Sequence, residues 1–510
     1  MKSKYIYKIL IIGSLFVSLY SCSLDTEPLS SLSELTVGQT NTSDTVKYKY
    51  STKAEIETQY KALYKLLKDR QEHWYLDMLL VAETHSDNAY AGTTGSEVIP
   101  MENNSVDAGN SCLARDWDRY LADVAQANTV INNIDSVPDQ ALTAQERKQW
   151  KAEAMIFRAM VWFDMVRLWG NVPIVTKEGV DITAENIEEV YPLYYPKQTN
   201  AQEAYGQIAK DLADAITDAP AKNASDKTIL SKSVARALLA KVYAEKTIRD
   251  YSKVLLYCNQ VIADGFSLVN NYADLFSLNT AGTDAKIRSS SESILEVNYF
   301  TGGGNWVTWR FGRDLLDYDY YFTWAKWLTP SRDLIADFQA ENDNVRLNQS
   351  VVYYETTWSN YYPAANYPFM YKCRSNVSSI IKLRYADILL LKAEALANLG
   401  GASNLAEAAA IVNQIRTRVG LANLPATASA SSESMLTAVL HERRLELAFE
   451  GQRWFDLVRY GKLQEVMNDL NKRDSGRLPQ RRVFTGTSEL LPVPQAALDI
   501  NTNLVQNPGY

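Results

Sequence analysis

Residues 299–327 read YFTGGGNWVTWRFGRDLLDYDYYFTWAKW, with eleven Phe, Tyr or Trp among 29 positions, against 11% in the whole chain. Four of the eleven tryptophans fall here, with no clean helical or strand period. Flat rings beside Asn, Asp and Arg suit one chemistry well, the holding of a sugar. Its axial C–H faces stack on aromatics while its equatorial hydroxyls take hydrogen bonds. Trp306, Trp309, Tyr318, Tyr320, Tyr321, Trp324 and Trp327 supply rings; Asn305, Asp317 and Asp319 supply bonding groups. Gly302, Gly303 and Gly304 let backbone approach a ligand closely. The competing reading is packing, the usual fate of aromatic residues. A second candidate group, Trp74, Asp87, Asn88 and Tyr90, flanks a Gly/Thr/Ser-rich turn within residues 73–97, and a third, Trp358, Tyr361 and Tyr362, lies within 358–371. In the aromatic stretch Arg310, Arg313 and Lys326 balance Asp314, Asp317 and Asp319. A polyanion would want a basic groove, so a neutral glycan is the expected ligand.

Other chemistries find no motif. His73, His85 and His441 have no ligand spacing, and HERRLE at 441 lacks the second His of a zinc-protease helix. Gly302–Gly304 lacks the strand–helix context of a nucleotide loop, and Asp317-Tyr318-Asp319 lacks the Gly and Glu of a calcium loop. A glycoside hydrolase needs two carboxylates at a set separation; among 60 acidic residues no motif nominates a pair. No catalysis, cofactor or metal is expected. The formal charge is −8, the wrong sign for a nucleic-acid partner.

The N-terminus carries a targeting signal. MKSKYIYK supplies three lysines and ILIIGSLFVSLY an apolar run too short to span a bilayer and right for a signal-peptide core. It ends in Leu19-Tyr20-Ser21-Cys22, which resembles a bacterial lipobox with Cys22 as the lipidated first mature residue; Tyr20 is bulkier than that motif usually carries. Several acyl chains on one Cys would give stable anchoring. The other cysteines, Cys112, Cys258 and Cys373, are odd in number and scattered, so buried free thiols are expected.

Beyond a polar tether the chain reads as mainly α. Apolar residues recur at three-and-four spacing in 55–70, 116–134, 145–170 and 204–220. Residues 235–262 place small and large apolar side chains as in a tetratricopeptide-like helix pair, and 384–399 with 404–420 repeat the build across Gly400-Gly401. Residues 265–383 are irregular, rich in Gly, Asn, Ser and Tyr, with one clear helix expected in TPSRDLIADFQAEND (329–343). An irregular insert of this length is usually functional. The expected organisation is a signal peptide (1–21), lipidated Cys and tether (22–52), an N-terminal helical part (53–264), a loop-rich aromatic insert (265–383) and a C-terminal helical part (384–510), packed as one globular unit with the rest.

HERRLELAFEGQRWFDLVRYGK (441–462), the terminal ELLPVPQAALDINTNLVQNPGY, RYADILLLKAEA, the WG-x-VP at 169–173 and LDTEP after Cys22 together resemble the SusD/RagB family from lipobox to terminus. The resemblance implies a tetratricopeptide-like helix-pair scaffold carrying a loop-rich, irregular ligand-binding insert. It implies capture of oligosaccharide, or of peptide in the RagB branch, at the cell surface. Delivery would be to a SusC-like TonB-dependent transporter in the outer membrane. Asp25 and Glu27 resemble the family's surface-export signal. In the signature Glu442, Arg443, Arg444, Glu446, Glu450, Arg453, Asp456 and Arg459 alternate with large apolar residues. Such interleaving reads as buried ion pairs that fix helix register, as do Arg384 and Glu394.

Overall fold

Helix starts follow from local capping chemistry. Thr52 and Glu55 form a reciprocal capping box that opens α1 (Lys53–Asp69), whose Ile56, Leu63 and Leu67 point inward. Asn110 caps α2 (Ser111–Asn133) by accepting from the Cys112 and Leu113 amides. A second capping box, Thr143 with Glu146, opens α3 (Ala144–Trp169), which is buried on nearly every face. A helix buried on most faces belongs at a centre, and α3, whose buried Glu153, Arg158 and Asp164 find polar partners, packs against both α2 and α4 (Ala201–Asp218). The computed structural model describes residues 48–92, 96–300, 304–307 and 327–510.

The stack continues through α5 (Lys232–Ala244) and α6 (Tyr251–Ala263), joined by residues 245–250. Across the insert, α6 packs on α8 (Tyr385–Leu399), which in turn contacts α9 (Ala402–Arg418) and α10 (Ser432–Glu446). The insert therefore leaves the stack after one helix pair and returns beside it. Gly400 and Gly401 turn the α8–α9 corner with φ of 70° and 84°, a conformation that side chains resist. Residues Tyr50–Tyr510 cluster as one unit.

The insert holds more order than its composition suggests. Among the described residues its strands enter three antiparallel pairs: β3 (Thr329–Pro330) with β1 (Ala89–Tyr90), which lies outside the insert, β2 (Ser293–Val297) with β6 (Ile380–Arg384), and β4 (Val351–Tyr354) with β5 (Tyr367–Met370). The helix expected over 329–343 is shorter, α7 (Arg332–Ala340), because Ser331 is its cap and Thr329-Pro330 pairs with β1 instead.

The charged signature is internal wiring. Arg443 in α10 binds Asp387 (2.8 Å) and Asp456 (2.8 Å) of α11 (Arg453–Arg459). Arg459 binds Asp456 at 2.7 Å and also Glu394 of α8. Arg384 reaches Glu292 (2.9 Å), Glu446 (2.6 Å) and Glu450 (2.6 Å). Burial alone would raise the Glu446 carboxyl, but the guanidinium groups of Arg418, Arg384 and Arg346 outweigh it and hold it well below the carboxylate range.

The WG-x-VP motif is where the C-terminal segment docks. Trp169 Nε1 donates to the Pro492 carbonyl (3.0 Å), Leu491 N to Leu168 O (2.8 Å), and Asn507 Nδ2 to Trp169 O (2.9 Å). Gly170 ends α3 at φ 72°, and a Cβ there would stand 2.7 Å from Leu490 Cδ1. Gly170→Ala is expected to cost about 1–3 kcal/mol from the left-handed backbone and the clash together, read by urea unfolding. An unchanged midpoint would refute this account of the motif.

Candidate functional site

The three aromatic-rich segments differ in where they lie. In the early segment two π-helical turns, Glu72–Leu76 and Leu80–Thr84, bring His73 to Thr84 inside. Trp74 is 1% exposed, with its ring edge-on to Tyr120 and Phe157. Asp87 is fully buried in a two-point contact with Arg453 (2.7 and 2.8 Å), 3.2 Å from Arg444. Burial pushes its carboxyl up, but Arg444 and Arg453 reverse this and leave it far below the usual range. Asn88 donates to Glu83 (2.7 Å) and accepts from Arg444 Nε (2.9 Å). Tyr90 donates to Asp474 (2.6 Å) and accepts from the Arg332 amide (3.0 Å). The expected placement of Trp74, Asp87, Asn88 and Tyr90 on an outer loop is thus corrected. Their polar groups are spent, or enclosed, within the fold.

These buried residues nevertheless hold the irregular face together. Tyr90 stacks on Tyr361 at 4.6 Å, Asn360 Nδ2 donates to Gly92 O (3.1 Å), and Ser331 donates to the Asn88 and Asp87 carbonyls. The early segment, β3 and the 358–371 segment are thereby joined. On this support Trp358 is half-buried, set edge-on to Tyr367 (5.7 Å) and Phe369 (6.2 Å), Tyr362 is half-buried under Arg332, and Tyr353 is exposed.

At the start of the aromatic stretch Asn305 is fully buried, donating to the Ser378 carbonyl (3.0 Å) and to Cys373 Sγ (3.0 Å), so it too leaves the expected outer surface. Trp306 stays half-buried, its amide donating to Gln71 (3.1 Å). Trp327 is buried. Trp309, Tyr320, Tyr321 and Trp324 lie outside the described residues, as does Cys22. Cys112 and Cys258 are buried free thiols, whereas Cys373 is half-buried.

One open feature was missed by the sequence reading. Phe300, 51% exposed, borders a cleft of about 540 Å³ with Asp226, Thr228, Arg288 and Asn298 on its rim. Arg288 stands 4.3 Å over the ring and Lys68 6.0 Å from it. An exposed ring among hydroxyl, amide and carboxylate groups offers what a saccharide needs. The strand before it, Ser293–Val297, is buried throughout, and exposure returns only at Asn298 and Phe300.

Among the described residues no helix is long and apolar enough to cross a membrane, and no cluster of three or more His, Cys, Asp or Glu has the arrangement of a metal site.

The architecture is that of a helix-pair scaffold displaying an irregular aromatic face, and comparison places it more closely. A model for the SusD family matches residues 370–510, and one described as "Starch-binding associating with outer membrane" matches residues 34–244. The chain belongs to the SusD/RagB family. It is 27% identical over 500 residues to SusD-like protein P38 of Formosa agariphila, covering 90% of this chain and 92% of that one. With a SusD-like protein of Bacteroides ovatus it shares 24% over 391 residues, 68% and 65% of the two chains. Among solved structures, a laminarin-binding SusD-like protein superposes with a TM-score of 0.70 at 23% identity, covering 90% of this chain and 100% of that one. A SusD superfamily protein from Bacteroides vulgatus superposes at 0.73 with 16% identity, covering 91% and 100%. At these identities the superpositions establish the fold.

Proposed function

We propose that the protein captures neutral oligo- or polysaccharide at the cell surface without cleaving it. It would hand its cargo to a SusC-like TonB-dependent transporter, while acyl chains on Cys22 hold it to the outer membrane. The observation that carries the reading is the set of open rings on the insert: Phe300, Trp306, Tyr353 and Trp358 keep exposed surface, while the early-segment candidates are enclosed. Family membership, the laminarin named for one structural neighbour and the starch named in the family description support a glycan as cargo. The signature carboxylates Glu442, Glu446 and Asp456 each meet guanidinium groups, which suits structure better than general acid catalysis.

Affinity electrophoresis through gels containing laminarin, starch, other neutral glycans and polyanions tests the reading. Retardation by a neutral glycan, with the length of a bound oligosaccharide unchanged after incubation, is expected. Shortened oligosaccharide, or retardation only by polyanions, would overturn it.

A further inference from the structure

Between α3 and α4 the chain makes a long excursion of its own. Val172 and Thr199 pair at its neck, each amide donating to the other's carbonyl (3.2 and 2.9 Å), and residues 173–198 lie beyond it. Packed helices are commonly joined by about 2–8 residues, and a much longer link usually has a task. Asparagine side chains fasten this one on two flanks. From α2, Asn128 donates to the Val175 carbonyl (2.7 Å), Asn132 to the Thr176 carbonyl (3.0 Å) and Asn133 to the Glu178 carboxylate (2.7 Å). From the C-terminal segment, Asn501 donates to the Pro196 carbonyl (2.8 Å) and Asn503 to that of Tyr195 (2.8 Å). A backbone set in advance lowers the cost of binding.

The fastened segment displays aromatic surface. Residues 191–196 read YPLYYP, and these rings have not gone into the core: Tyr191 is 48% and Tyr194 50% exposed. Tyr191 stacks on half-buried Tyr195 at 4.6 Å, and the Tyr194 hydroxyl donates to the Val180 carbonyl (3.1 Å), so the rings are held in place. Tyr191 and Tyr195 line an open cleft of about 430 Å³, inside the ~300–1,000 Å³ of small-molecule sites. Exposed hydrogen-bonding groups share its lining, the Thr176 hydroxyl and the ammonium groups of Lys177 and Lys197. A cleft that mixes rings with donors fits a sugar ring better than the broad apolar patch at which proteins associate.

We propose that this tyrosine cleft is a second saccharide site, apart from the rings of the insert, that holds a captured polymer at a further point. The inference rests on the reading of the protein as a glycan binder and adds to it a subsite carried by the helical part of the chain. Two weak holds on one polymer multiply, so the second site matters most for long glycans.

Affinity electrophoresis through laminarin and starch gels, paired with calorimetry on a short oligosaccharide of the retarding glycan, tests this. A polymer in the gel reaches both sites, whereas the short sugar in calorimetry reads the tighter one. The double variant Tyr191→Ala/Tyr195→Ala is expected to lose at least about threefold in gel affinity while its calorimetric affinity stays that of wild type. Where the double variant does not fold, Tyr191→Ala alone, at an exposed position, is read the same way. Unchanged retardation, or an equal fall in both measurements, would overturn the second site and leave the reading of the insert intact. A wild type that no neutral-glycan gel retards would remove both.

Discussion

Arg384→Met lowers the unfolding free energy by about 3–5 kcal/mol, the range for removing one partner of a buried ion pair. The guanidinium is 2% exposed and answers Glu292, Glu446 and Glu450, besides donating to the Glu446 carbonyl at 2.7 Å. Its loss leaves negative charge gathered where β6, α8 and α10 meet, with Arg418, Arg346 and Lys372 alone to balance it. The Glu446 carboxyl sits below its unfolded value, so its contribution is complete above the ordinary glutamate range and lost as pH falls through the folded value. Urea unfolding at neutral pH reads the effect. Lys65→Ala is the control: its pair with Asp69 is largely exposed, and the midpoint should stay where it is. Equal midpoints for Arg384→Met and wild type would remove the claim that the C-terminal signature is structural.

Replacing Trp306 and Trp358 together by Ala weakens glycan binding at least about 100-fold, since a buried aromatic anchor is commonly worth 2 kcal/mol or more. Both residues are half-buried and packed against the core, so the rings are held in place while part of each side chain stays accessible. Fixed rings lose little freedom on binding, which is where rigid aromatic platforms gain affinity. Calorimetry with the retarding glycan measures the loss, and an unchanged far-UV circular dichroism spectrum confirms that the helices remain. Phe300→Ala, measured alongside, reads the separate cleft at Asp226 and Asn298. Undiminished affinity in the double variant would move the site off these two rings.

The helices were legible because their periods and caps are local. Thr52 with Glu55, Thr143 with Glu146, and Ser331 are written in the sequence within a turn of the helices they open. The structural role of Arg384, Glu394 and the HERRLE–RWFDLVR charges was legible for a related reason: charges interleaved with Trp, Phe and Leu at helical spacing have to be buried in pairs. Asp87 and Asn88 were misplaced because their partners lie more than 300 residues away, at Arg444 and Arg453, and no local pattern announces them. Tyr90 failed likewise, its partners being Asp474 and Tyr361. The strand pairs of the insert escaped notice because two to five residues are too few to show a period of two.

The most direct measurement is a crystal structure of the protein with a neutral oligosaccharide that retards it on the gel. Sugar rings should lie against Trp306, Trp358, Tyr353 or Phe300, with their hydroxyls bonded by neighbouring polar side chains of the insert. A saccharide seated instead on the helical stack, touching none of these rings, would contradict the account.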